Sequence, residues 1–183
     1  MTHSSESRDT PTLRHYPARW SSLLKGISFA VTVLLFTLTA VLPFPAAPFM
    51  LALVIGTGAF AVFGYTIQDD EILIHRTGWS YRLDVSRLVR ARAEPHVTLG
   101  SIRTFGNGGM YGFTGMFRNH VLGSYRAWMT NSVDTVVLEF EDRTVVISPE
   151  DPVAFVKELH ATLSIETDAT EDPPMPDEAG ASE

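Results

Sequence analysis

Groups able to do acid–base or metal chemistry are few in this chain and poorly spaced for it. Asp69, Asp70 and Glu71 stand in a row. Neighbouring carboxylates can serve as an acid and a base, but short polar side chains in sequence are also how a chain turns. Histidines occupy positions 3, 15, 75, 96, 120 and 160 with neither H-x-x-x-H nor H-E-x-x-H spacing, and there is no cysteine, so a zinc site is unsupported. No serine sits in a G-x-S-x-G elbow. The glycine run that starts at Gly106 could cradle a phosphate, yet it lacks a G-K-[ST] ending and puts Tyr111 where G-x-G-x-x-G needs its third glycine. The expectation is a protein with no catalytic residue, no metal and no cofactor, and hence not an enzyme.

That glycine run belongs to a longer stretch, Thr104 to Trp128, TFGNGGMYGFTGMFRNHVLGSYRAW, with six glycines, six aromatic residues, two arginines and no acid. Glycine loses more conformational freedom on ordering than any other residue, so this density calls for φ > 0 turns, close backbone approach or a ligand. In one reading the rings fill a small barrel and the glycines mark bends and bulges. In the other, Asn107, Met110, Tyr111, Phe113, Met116 and Phe117, flanked by Arg103, Arg118 and Arg126, form a surface for a ligand or the membrane. Amphipathic rings and arginines suit the bilayer interface and its anionic head groups.

The elements that would position this stretch begin with an apolar segment. From Gly26 to Gln68 the chain has no Asp, Glu, Lys or Arg. A bilayer core about 30 Å thick needs roughly 20 apolar helical residues, so the segment has room for two spans. ISFAVTVLLFTLTAVL is read as the heart of the first and PFMLALVIGTGAFAVFG as the second. The prolines of PFPAAP break the helix between them. A secretory signal is the competing reading, since Arg14, Arg19 and Lys25 precede the run, but the run is long for a signal and no A-x-A site follows it. Basic residues lie before the first span and after the second, with none between, so both termini are expected on the cytoplasmic side.

Strand periodicity dominates the remainder. Ile67 and EILIHR form a hairpin-like pair around Gln68 to Asp70, and WSYRL alternates rings with polar residues. In VSRLVRARAE, Leu88 points inward and Arg87, Arg90 and Arg92 outward. TVVLEFEDRTVVIS is the clearest hairpin, with Val136, Leu138 and Phe140 on one face and Val137 and Glu139 on the other. A helix follows, with Asp151 as N-cap, Pro152 at its first position, and Phe155, Val156, Leu159 and Leu163 as its apolar stripe. The formal charge of −7 comes from the tail: Glu166 to Glu183 holds seven acids and no base. Asp69 to Ile165 carries twelve acids and ten bases, too balanced for nucleic-acid binding.

YTIQDDEILIHRTGWSYRLDVS, then FGNGGMYGFTGMFRN with GSYRAWMTN, then TVVLEF and TVVISPEDPVAFVKEL resemble the bacterial pleckstrin-homology-like (PH-like) domains carried by small two-span membrane proteins. The resemblance covers roughly Tyr65 to Leu163. It implies an α+β, mainly β fold: a small barrel or sandwich of two near-orthogonal sheets, capped by the carboxy-terminal helix. The chain departs from phosphoinositide-binding members of the wider superfamily, having in its first hairpin region only His75, Arg76 and Arg82 and no dense lysine cluster. The expected layout is a disordered cytoplasmic segment (1–22), a two-helix transmembrane hairpin (23–64), a PH-like domain (65–165) and an acidic disordered tail (166–183). The expected function is a membrane-anchored binding or scaffolding module that takes membrane lipids or a protein partner at the cytoplasmic face. The alternative is an assembly subunit whose hairpin packs against other membrane helices or a second copy, although the G-x-x-x-G signal around Gly56 and Phe60 is imperfect.

Overall fold

The computed structural model describes residues 14–41, 46–68, 70–109 and 111–163. A short strand β1 (Arg14–Pro17) precedes two helices, α1 (Ser22–Val41) and α2 (Ala46–Ala59). Nine strands follow: β2 (Val62–Gln68), β3 (Glu71–Arg76), β4 (Ser80–Asp84), β5 (Leu88–Ala93), β6 (Ile102–Gly108), β7 (Phe113–Asn119), β8 (Gly123–Met129), β9 (Val136–Phe140) and β10 (Thr144–Ile147). Helix α3 (Pro152–Leu163) comes last.

The strands form two sheets, one ordered β1-β2-β3-β4 and one ordered β5-β9-β10-β8-β7-β6. All pairings are antiparallel except β8 with β10. The sheets pack face to face around Tyr65, Ile72, Ile74 and Leu83 from the first and Trp128, Val136, Leu138, Val145 and Ile147 from the second. Phe155 and Leu159 of α3 complete this core. Of the two expected forms, barrel or sandwich, no closed barrel is present among the described residues. β4 passes to β5 through a tight turn without pairing, so the structure is an open sandwich with β6 at a free edge.

Local signals account for several elements. The β9–β10 hairpin divides its faces as its alternation requires: Val136, Leu138 and Phe140 enter the core between the sheets, while Val137 joins a second cluster with Phe117, Tyr125, Ala127 and Met129. Asp151 accepts the Ala154 N–H at 3.0 Å and caps α3, and Pro152 takes the first turn, where no N–H is needed.

Two boundaries differ from expectation. Residues 14–21, expected to be disordered, are held along their length. β1 pairs with β2 from Arg14↔Ile67 to Pro17↔Gly64. The Trp20 indole donates to the Val62 carbonyl at 3.2 Å, and the Thr130 hydroxyl donates to the Arg19 carbonyl at 2.8 Å. The second correction concerns the second span. α2 ends at Ala59, and Val62 to Gly64, counted as membrane helix by hydropathy, open β2 because β3 supplies their partners. At 14 residues α2 is about 21 Å long, short of a bilayer core, whereas the 20 residues of α1 reach about 30 Å. Among the described residues, α1 alone is long and apolar enough to cross a membrane.

β1 is also fastened by side chains. Thr66 Oγ1 lies 3.3 Å from His15 Nδ1 and 2.8 Å from His75 Nε2, and the two imidazole rings are 5.2 Å apart. Burial, and then the nearby His15, lower the His75 pKa below the ordinary imidazole value of 6.5. A base with a lowered folded-state pKa binds fewer protons than the unfolded chain once the pH falls below its unfolded pKa, so its stabilising contribution is lost on acidification. Stability should therefore fall from about pH 7 to about pH 5. Denaturant midpoints in neutral detergent should show a flatter pH profile for His75→Gln. Phe155 is fully buried, with its ring 5.1 Å from that of Tyr16 and 6.3 Å from that of Tyr65. In the same assay Phe155→Ala should cost about 3–5 kcal/mol.

Candidate functional site

The glycine and aromatic stretch folds as the hairpin β6–β7 with β8 beside it. Gly106 faces Gly115 across the strands, at φ of 105° and 138°. A Cβ at Gly106 would stand 2.3 Å from the Thr114 carbonyl oxygen, and one at Gly115 would stand 2.2 Å from that of Phe105. Close backbone approach is thus what these two glycines supply. The hairpin tip lies against α1. The Tyr111 N–H donates to Ser28 Oγ at 3.0 Å, and the Tyr111 hydroxyl shares a hydrogen bond of 2.7 Å with Thr32 Oγ1. The Tyr111 ring also approaches Gly58 of α2. Tyr111 adopts φ of 59°, a conformation seldom taken by a side-chain-bearing residue, and the tyrosine is held there by these contacts.

The rings of the stretch divide between core and surface. Phe117 and Tyr125 are buried and stacked at 5.9 Å, with Phe113 against the same cluster, so Phe117 is not part of an exposed surface. Trp128 is buried on the opposite face of β8. Phe105 is 78% exposed and its cross-strand partner Met116 39% exposed, because the second sheet extends past the first and leaves the inner face of β6 and β7 uncovered. Arg103 and Arg118 are exposed and Asn107 half-buried opposite Thr114. Met110 lies outside the described residues. The Arg126 guanidinium lies 4.6 Å from the Trp128 ring.

A second group of residues at the domain ends of the helices escaped the sequence reading. Trp20 precedes α1 and Phe60 follows α2. Trp20 packs on Phe63 at 6.0 Å, Phe60 packs edge-on against Trp79 at 5.6 Å, and the Arg76 guanidinium lies over Phe60 at 5.7 Å. Phe60, Phe63 and Trp79 are each about half exposed. Aromatic residues flanking an apolar run were the available signal.

Among the described residues, the acidic and histidine candidates form no reactive constellation. Asp69 lies outside the described residues, Glu71 pairs with Arg82 at 3.5 Å, and Asp70 sits in the turn, its carbonyl accepting the Val85 N–H. Among the described residues no group of three His, Cys, Asp or Glu could hold a metal ion.

The steric crowding at Gly115 makes a prediction. Gly115→Ala should raise amide exchange across residues 102–119 by about tenfold or more, with α3 unaffected, as backbone strain of about 1–3 kcal/mol would require. Hydrogen exchange read by mass spectrometry measures this.

A family model described as the bacterial PH domain matches residues 63–163, which is more than half of the chain. No curated protein and no solved structure matches. The matched stretch runs from β2 to the end of α3 and takes in both sheets except β1. With its two packed sheets and closing helix, the chain belongs to the bacterial PH domain family.

Proposed function

We propose that the chain is a non-enzymatic, membrane-anchored PH-like module that binds lipid head groups or a protein partner at the cytoplasmic face. The observation that carries this reading is the ring of half-exposed aromatics, Phe60, Phe63 and Trp79 with Trp20, gathered where α1 leaves the domain and α2 returns to it. Such rings favour the boundary between lipid and water, and past Lys25 the helices present Phe29, Leu34, Phe36, Phe49 and Ile55 outward with no charge. In this reading both helices insert as a hairpin.

The β6–β7 tip then reaches the interfacial layer. Ser28 and Thr32 lie roughly 9 and 15 Å along α1 from its start at Ser22, so Tyr111 sits at the depth of the head groups and first methylenes. Phe105 and Met116, further back on the hairpin, face the same layer, and Arg103 and Arg118 can meet its anionic groups.

A second reading, an assembly subunit acting through its helices, is favoured by the apolar groove between α1 and α2, lined by Leu35, Phe36, Met50, Leu51 and Val54. Replacing both helices with an unrelated hairpin separates the two readings. Binding by the domain survives if the module reading is right and is lost if the helices make the contact.

The native chain lacks cysteine, so single introduced thiols report topology cleanly. In right-side-out and inverted vesicles, Ser86→Cys should react with an impermeant maleimide only from the cytoplasmic side, and Val41→Cys, at the far end of α1, only from the other. Labelling of both from one side would remove the two-span anchor.

A further inference from the structure

Two arginines converge from facing sheets on one open end of the sandwich. Arg76 continues the alternation of Ile72 and Ile74, both fully buried in the core between the sheets, and so points into the same space. On the second sheet Arg126 lies between Met116 and Val145 in register, and Val145 belongs to that core too. The Arg126 guanidinium bridges the sheets, 5.8 Å from the Tyr81 ring of β4 and 4.6 Å from the Trp128 ring of β8. Those two rings are 4.7 Å apart and form the floor beneath it.

Neither cation is neutralised. Among the described residues, no carboxylate pairs with Arg76 or Arg126, while five other arginines have such partners. Arg76 Nε is buried with no hydrogen-bond partner. Burial, and then the charge of Arg126, lower the Arg76 pKa, and no carboxylate offsets them. The part-buried Arg76 guanidinium, its Nε unpartnered, and the exposed Arg126 guanidinium near it lack a counter-charge, which an anion between them would supply. Planar N–H forks of this kind match phosphate oxygens.

The surroundings restrict which anion fits. From Arg126 a row of cross-strand neighbours runs outward through Met116 to Phe105, an apolar ledge that ends exposed. On the other side Arg76 lies over Phe60, at the end of α2. A phosphate group between the arginines would therefore have apolar surface on one side and the helix end on the other. We infer that Arg76 and Arg126 bind the phosphate of an anionic glycerophospholipid, with its apolar part along Met116 and Phe105. This site rests on the membrane-anchored reading and gives it a ligand class. It is built on the β3 end and β8, away from the acidic Gln68–Glu71 turn of the first hairpin.

The test is a titration of the full chain in neutral detergent, followed by tryptophan emission because Trp128 lies under Arg126. Dioctanoyl phosphatidylglycerol should give a saturable change and dioctanoyl phosphatidylcholine none. Arg126→Gln should weaken the response by about tenfold or more, as loss of a charge-assisted hydrogen bond would. Arg87→Gln, an equal charge change in the exposed β4–β5 turn, should leave it intact. Circular dichroism of both variants guards against misfolding. Saturation by inorganic phosphate at the same concentrations would keep the anion site and overturn the lipid as its source. Indistinguishable curves for the two lipids, or equal losses in the two variants, would overturn the site. The titration needs no spanning topology, so its failure and that of the vesicle labelling are separately readable.

Discussion

β1 and β2 are neighbours in the sheet although both helices lie between them in the chain. Every other feature of the helical segment depends on that pairing. A chain that leaves a sheet edge and must return to it has to run out and back, and the Ala18 N–H bonded to the Phe63 carbonyl at 2.8 Å fixes how near the exit is to the entry. Closing so long an excursion costs entropy that grows only slowly with length, and a few backbone bonds with the His15, Thr66 and Trp20 contacts can offset it. The domain is thereby held in one attitude to its helices, and Tyr111 makes a second point of attachment.

Within the domain, the corresponding fixed point is Tyr65. Its hydroxyl, fully buried, donates to the Trp128 carbonyl at 2.7 Å and accepts the Ser148 N–H at 3.2 Å, joining β2 to the second sheet at two places. Burial pushes its pKa up to about 12, so the proton needed for donation is retained throughout the physiological range. Because Trp128 is pinned from behind in this way, its other face is a rigid seat for Arg126. Core packing and the arrangement of exposed cations are thus one problem, solved by the same few residues.

What could be read from the sequence was local. The β9–β10 hairpin and α3 carry their own periodicity and their own cap, so Val136 to Ile147 and Asp151 to Leu163 are legible without knowing what they pack against. β1 is four residues with no alternation, and its partner is far along the chain, so nothing near Arg14 announces a strand. Val62 to Gly64 read as membrane helix because hydropathy cannot tell a buried strand from a lipid-facing one. The pairing of Gly106 with Gly115 was legible only as a need for glycine, and the convergence of Arg76 with Arg126 not at all, since it requires the facing of two sheets.

The placement of β1 also sets an order of events during synthesis. The ribosome releases β1 well before β2, and chains form structure from the amino terminus as they emerge. β1 must therefore wait, unpaired, until both helices have been made and β2 has followed. The first sheet cannot complete ahead of the helices, and a product interrupted between α1 and α2 keeps an open strand of the kind that chaperones and proteases recognise. Completion of the first sheet is in this way a record that the helical part has already been made.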